Sequence, residues 1–436
     1  MECGYVVKRS ILKFIIPVTF LKLSERVFRL ICDMISSRID NNIVLVTYGS
    51  ISPILEITGT IISGLSFGGV VYYNTHKDKE RAFSSSLYTM LLVVSALTMV
   101  LLLFDTRLLE ILGVQTDLVS TSRLALRYTI YSLIFNSVIS LISDILITEE
   151  MSKFCIAVNL VLRSFKVVLF LFADSLEDIV KIGFYYQVLN CLVILVLFYK
   201  VLGYKLVRVK IQSMIKIVLT GIPVMIYSSC YPVGNFALVR ESNALGASVL
   251  ASASAISTIE CIVYCFYDAT WNVVSKYVGE FVRDKKLNKV KRFLTDLSVI
   301  ILGYYIAVVF ILHTFKNQIY SIIGLNTDYF KNCSVMMSIY LFTCVLDAFA
   351  DIIYASINTI KEVRLVSLIP LFTIGAVRVL YITYFYQRGS VSSLYMVYPV
   401  SYIVNLLAVI FIFFYFTRTR AEYSLNCSED YIEGTL

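Results

Sequence analysis

The chain has 436 residues, 58% of them apolar and only 16% charged, with a mean hydropathy of +0.80. Soluble domains carry about a quarter charged residues, so this composition excludes an ordinary water-soluble protein. The formal net charge of +8 suggests nucleic acid only until its placement is seen, and ten Cys without a C-x-x-C pair and two isolated His offer no legible zinc or haem site.

Apolar windows of the length that spans a bilayer as a helix recur along the chain. Twelve spans are expected near 14–38, 44–73, 84–105, 125–147, 154–173, 178–199, 214–239, 245–280, 292–313, 333–358, 363–386 and 393–417. No cleavable signal is read, since the first apolar run lacks a small-residue cleavage site. With the N-terminus inside, the inner loops collect most of the Lys and Arg, including Lys77, Lys79, Arg81, Lys205, Arg208, Lys210, Arg283, Lys285 and Lys286. The outer loops hold few, such as Arg107, Lys316 and Arg388. This bias predicts both termini in the cytoplasm, in the plasma (inner) membrane, and makes the basic excess a topology signal with no nucleic-acid partner.

The first span is two-faced. At the helical period, Lys22, Glu25, Arg26, Arg29, Asp33, Ser36 and Ser37 fall in an arc of about 120°, opposite Leu23, Val27, Leu30, Ile31, Met34 and Ile35. Five charges facing lipid would cost roughly 12–18 kcal/mol, so the charged face must meet protein or water. Three readings stand: a polar wall of a central cavity, a salt-bridge seam between helices, or an interfacial helix. Glu25–Arg29 and Arg29–Asp33 are both i,i+4 pairs, spaced to offset one another.

The chain repeats itself at an offset of 206–211 residues. Phe14–Val18 returns as Thr220–Val224, "ILGVQTD" (Ile111–Asp117) as "IIGLNTD" (Ile322–Asp328), the segment from Phe135 to Phe154 as Leu346 to Leu365, and Lys77–Phe83 as the stretch from Lys285 to Phe293. Two parallel halves of six spans follow, with a substrate path between them: residues 1–206 and 207–418, joined at the basic stretch Gly203–Lys216, then a polar tail, 419–436, expected to be disordered. The fold class is all-α, a polytopic membrane protein of two pseudo-symmetric six-helix bundles.

Asp347 and Asp351 are i,i+4 on one face of the tenth span, a pairing that suits a proton carrier. Asp347 is the first candidate for cation coupling, with Asp33, Asp351 and Glu260 behind it and Glu56 a further acid. Asp351 could instead clamp a basic neighbour. Lys166 and Arg378 are 212 residues apart and so repeat-equivalent, equally suited to structural counter-ions and substrate contacts. Trp271, Tyr128, Tyr131, Tyr264, Tyr267 and Tyr354 could stack on an aromatic cation, or serve as core and interfacial residues.

On these residues the chain resembles the multidrug and toxic compound extrusion (MATE) transporters, of the superfamily that also holds polysaccharide and lipid flippases. The shared features are Pro17 leading a first helix with Asp33; "GLSFGGVVYYNTHKDKERA" (Gly64–Ala82); "LLEILGV" before the fourth helix; and Asp347-Ala348 with Asn358 and Lys361. The likeness spans about residues 10–418. It implies two lobes forming a V and export of organic cations or drugs coupled to inward H⁺ or Na⁺, with Asp33 and Asp347 as coupling carboxylates. There are departures: Tyr231 stands where some relatives have Glu, and Lys166 and Phe170 where many have Asn and Asp. These set Lys166, Arg26 and Arg29 near Asp33, more positive than a cation exporter's pocket. Arg26, Arg29, Lys166, Asn136, Tyr231 and Arg378 are the candidate cavity residues. The expected function is a secondary antiporter with a small organic substrate, no cofactor beyond the coupling ion, and a monomeric state in the bilayer. The lack of an acid at Tyr231 favours H⁺ over Na⁺. The alternative is a lipid-linked oligosaccharide or polysaccharide flippase, for which Arg26 and Arg29 would meet an anionic pyrophosphate. No nucleophile–base pair, metal cluster or P-loop suggests an enzyme.

Overall fold

In a computed structural model the described residues are mostly helical, with no strand among them; they are 26–38, 42–149, 151–283, 288–360 and 368–433 together with Thr19 and Leu23. Pro17, Lys22, Glu25, Lys285, Lys286, Lys361 and the end of the tail lie outside them, as do the side chains of Trp271 and Asn358.

The helices are α1 (26–36), α2 (Ile43–Thr75), α3 (Lys79–Leu103), α4 (Asp105–Ile111), α5 (Thr116–Thr148), α6 (Ser152–Phe170), α7 (Leu176–Leu202), α8 (Ile211–Leu245), α9 (Ala247–Arg283), α10 (Asn288–Thr314), α11 (Lys316–Ile323), α12 (Phe330–Ile360), α13 (Val377–Tyr384), α14 (Val391–Tyr395) and α15 (Val397–Glu433). Among the described residues, nine of the twelve expected spans are met by helices long and apolar enough to cross a membrane. The other three are α1, α6 and the shorter apolar stretch Leu371–Tyr384. The tail expected to be disordered is instead a continuation of α15 to Glu433: after Pro399, in the first turn of α15, no Gly or Pro follows until Gly434, so the helical ladder propagates.

Local chemistry sets the helix ends. Asp78 caps α3 by accepting from the Arg81 N–H at 3.0 Å, and Ser175 with Asp178 forms a reciprocal capping box on α7. Two turns, after α4 and after α11, end on Gly113 (φ 65°) and Gly324 (φ 81°), a left-handed conformation that favours glycine. They are the "LG" and "IG" of the sequence repeat, and each follows a short helix and precedes a long one.

Packing follows the same repeat. In the first half α2 packs on α3 and α5, and α5 on α7; in the second α9 packs on α12, and α12 on α15. Two separate apolar cores result. One is built around Ile51, Leu65, Phe83, Leu126 and Ile142, the other around Val273, Phe293, Leu297, Met336 and Tyr320. Leu103, Phe172, Phe310 and Phe411 point outward, as lipid-facing side chains do. The halves meet chiefly along α2 and α8. A Cβ on Gly64 would collide with Met225, one on Gly68 with the Ile217 carbonyl, and one on Gly221 with the Gly64 carbonyl. The three glycines therefore let the two backbones touch, as small residues do between membrane helices.

Candidate functional site: a cavity between the halves

A cavity of about 1250 Å³ lies between the halves. All ten residues singled out in the sequence line it: Arg26, Arg29, Asp33, Asn136, Lys166, Tyr231, Glu260, Asp347, Asp351 and Arg378.

The first half supplies a basic wall. The polar face of α1 turns toward α9. Arg26 and Arg29 each reach the Cys261 thiol with Nη1, at 3.8 and 3.9 Å. Asp33 lies 3.9 Å from Arg29 Nε and accepts 2.9 Å from the Thr258 hydroxyl. Arg163 and Lys166 on α6 line the same space, with Lys166 Nζ 5.0 Å from the Phe170 ring and 5.4 Å from that of Tyr186.

The second half supplies an acidic wall with one enclosed cation. Asp347, 1% exposed, accepts from the Tyr231 hydroxyl at 3.1 Å and the Tyr264 hydroxyl at 2.6 Å. One carboxylate thus ties α8, α9 and α12. Asp351, one turn on, accepts from the Tyr227 hydroxyl at 3.4 Å. Arg378 is completely buried. It donates to Asn235 Oδ1 at 2.5 Å and Ser401 Oγ at 3.2 Å, and its guanidinium lies among the rings of Tyr398, Tyr402 and Tyr231, at 4.6, 5.2 and 5.9 Å. Asn235 in turn donates 3.3 Å to Glu56 of α2, a polar bridge between the halves. The backbone is irregular here too: α8 contains Pro223 and Pro232, and a π-helical segment, Leu371–Ala376, leads into α13. Such segments recur at functional sites.

The cavity is pseudo-symmetric. Lys166 against Tyr186 in the first half matches Arg378 against Tyr398 in the second, each residue 212 positions after its counterpart. Asn136 on α5 matches Asp347 on α12. Glu56 and Glu260 occupy the same register, fourteenth in α2 and in α9.

A matched pair of hydrogen bonds joins the halves at the end that carries Gly113 and Gly324. Ser37, at the end of the first helix, donates to the Ile323 carbonyl at 2.6 Å; Asn243, at the corresponding place on α8, donates to the Leu112 carbonyl at 2.8 Å. Each bond runs from one half to the residue before the other half's left-handed glycine. Gln115 to the Asn243 carbonyl, 3.2 Å, and Ser254 to the Leu45 carbonyl, 2.9 Å, add to the same closure. Among the described residues no group of three His, Cys, Asp or Glu could hold a metal ion.

No known protein family's sequence pattern matches the chain, and no curated protein matches it by sequence. Solved structures match along nearly its whole length. An inward-facing multidrug resistance MATE family transporter of the MOP superfamily is 15% identical over 93% of this chain and 98% of its own, with a TM-score of 0.74. The outward-facing conformation of such a transporter gives 0.69 over 96% of each chain, at 15% identity. A MOP superfamily transporter from Pyrococcus furiosus, described as having a binding pocket of reverse polarity, gives 0.71 at 15% identity over 95% of this chain and 96% of its own.

The chain has the fold of the MATE transporters.

Within the MATE fold, the aromatic expectation needs correction. Of the tyrosines named for cation stacking only Tyr264 lines the cavity. Tyr267 and Tyr354 are core residues, Tyr128 packs edge-on against Phe184, and Tyr131 is exposed away from the cavity. The lining tyrosines are others, Tyr186, Tyr398 and Tyr402 among them. Arg163, Asn235, Gln187 and Asn190 were also not foreseen. The spacing of 212 between Tyr186 and Tyr398, shared with Lys166 and Arg378, was the available signal for two of these.

Proposed function

We propose that the protein is a secondary transporter that moves organic cargo out of the cytoplasm by alternating access of its two halves, coupled to inward H⁺ at Asp347. The observation that carries this reading is the buried carboxylate of Asp347, held by hydroxyls from two neighbouring helices inside a cavity shared by both halves. Hydrogen bonds to an ionised group contribute about 1.5–3 kcal/mol, and neutral ones about 0.5–1.5. A proton arriving at Asp347 therefore loosens the tie among α8, α9 and α12 by about 1–3 kcal/mol, enough to move a two-state balance roughly 5–150-fold. The repeat-equivalent position is neutral Asn136, so coupling is asymmetric between the halves. The likeness to both inward- and outward-facing MATE structures supports a fold that adopts two states. Both termini face the cytoplasm in this reading, and the membrane is the plasma membrane.

Gradient-driven transport in proteoliposomes tests it. Wild type is expected to drive dye movement with an imposed pH gradient and not with a sodium gradient, and Asp347→Asn to abolish the pH-driven component at equal protein content. Full coupled transport by the variant would place the ion site elsewhere, with Asp33 the next candidate. The second reading, flipping of a lipid-linked anionic oligosaccharide, is favoured by the cations facing the cavity; it predicts transport of labelled lipid with no dependence on Asp347.

A further inference from the structure

The charges of the cavity are balanced in number and segregated in space. The first half contributes Arg26, Arg29, Arg163 and Lys166 against Asp33 and Glu56; the second contributes Glu260, Asp347 and Asp351 against Arg378. Arg378 lines the cavity but is fully buried, bonded to Asn235 and Ser401, and packed against three tyrosine rings, so it is less open to cargo than the cations of the first half. The basic wall is different. The neutral contact of Arg26 and Arg29 is a thiol, a weak acceptor. The Arg29 side chain is 54% exposed, and its carboxylate partner is at the 3.9 Å limit of an ion pair. Guanidinium groups facing a cavity at membrane depth are costly unless an anion meets them, and their planar fork suits a carboxylate or phosphate.

We propose, resting on the transporter reading, that the cargo carries an oxyanion, a carboxylate or phosphate, which docks on the wall formed by Arg26, Arg29, Arg163 and Lys166 while the coupling carboxylate lies on the opposite half. The cargo is then an organic anion or zwitterion. Asp33, already engaged by Arg29 and Thr258, orients Arg29 and is not itself the cargo's partner. A cavity of about 1250 Å³ exceeds the usual range for drug-sized ligands, roughly 300–1,000 Å³, so the oxyanion can belong to a bulky molecule or a lipid headgroup.

Binding to the purified full chain in detergent, with no gradient, separates this inference from the transport reading. The probes are carboxyfluorescein as a soluble anion, a fluorescent short-chain phosphatidylglycerol as an anionic headgroup, and ethidium as a cation. Saturable binding of either anion, tighter than ethidium, is expected, and which of the two binds identifies the source of the oxyanion. The double variant Arg29→Gln, Lys166→Gln should weaken anion binding at least tenfold. Arg29→Lys, Lys166→Arg keeps both charges and should stay within about threefold; single Gln variants serve if the double one does not fold. Preferential ethidium binding, binding of neither anion, or anion binding indifferent to the Gln variants would overturn the inference. Ethidium transport in proteoliposomes would still leave the transporter reading in place.

Discussion

At the scale of the residue, the membrane-depth charges are distinguished by what surrounds them. Arg378 and Lys166 are repeat-equivalent cations that both line the cavity, yet Arg378 is fully buried among three rings and two hydrogen-bond acceptors while Lys166 has two rings beside it. Outside the spans, Asp105 shows the effect of partners on a buried acid. Burial alone would raise its pKa; hydrogen bonds from Arg123 and Arg127, 3.1 Å and 2.5 Å from Oδ2, outweigh it and hold the carboxyl below the ordinary range. A carboxyl whose folded pKa is depressed stabilises the fold above its unfolded value, about 3.9, and that stability is lost as pH falls through the folded value. Asp105→Asn is therefore expected to lower stability by about 1–3 kcal/mol at pH 7. Thermal melts across pH should show a constant gap between wild type and variant above about pH 5 and a shrinking one below about pH 4. A gap that widens on acidification would contradict this assignment.

At the scale of the element, the two "LG/IG" turns act as receptors for the opposite half. Their left-handed glycines redirect the chain and leave the preceding carbonyls of Leu112 and Ile323 to accept from Asn243 and Ser37. A Cβ at Gly324 would collide with the Ser37 hydroxyl, so the turn also needs glycine for space. Each bond is worth about 1 kcal/mol, so Ser37→Ala and Asn243→Ala should each favour opening of that end by about fivefold. Hydrogen exchange over segments 111–118 and 322–329 reads this directly. Ser37→Ala should accelerate exchange at 322–329 and Asn243→Ala at 111–118. Unchanged exchange in both variants would show that the matched bonds do not hold the end closed.

At the scale of the molecule, two cores and one cavity define the architecture. Each half buries its own apolar set, and the halves meet through close approach of α2 and α8 with polar ties at one end. The connection between α7 and α8 has no regular secondary structure and is anchored by the Val207 N–H on the Ser84 hydroxyl at 3.1 Å. The broad contact between α2 and α8 is expected to position the halves without covalent continuity at this connection. Co-expressed chains 1–206 and 207–436 should assemble, co-purify and bind the same probes as the intact protein. Recovery of either chain alone, without its partner, would show that the contact between α2 and α8 is insufficient.

The membrane class and the polar residues placed at membrane depth were legible in the sequence because hydropathy, charge placement and spacing are properties of the linear chain. The cost of charge in lipid alone requires the polar face of the first helix to turn inward. Which tyrosines surround the cavity was not legible. All 31 Tyr share one propensity, and only packing against a particular neighbour separates Tyr402 beside Arg378 from Tyr267 in the core. The tertiary structure also decided that Arg378 is enclosed while Arg29 faces the cavity, and that Ser37 and Asn243 reach across to opposite halves. Those outcomes depend on how the two halves are placed against each other: Arg29 meets Cys261 across 232 residues of chain and Arg378 meets Asn235 across 143.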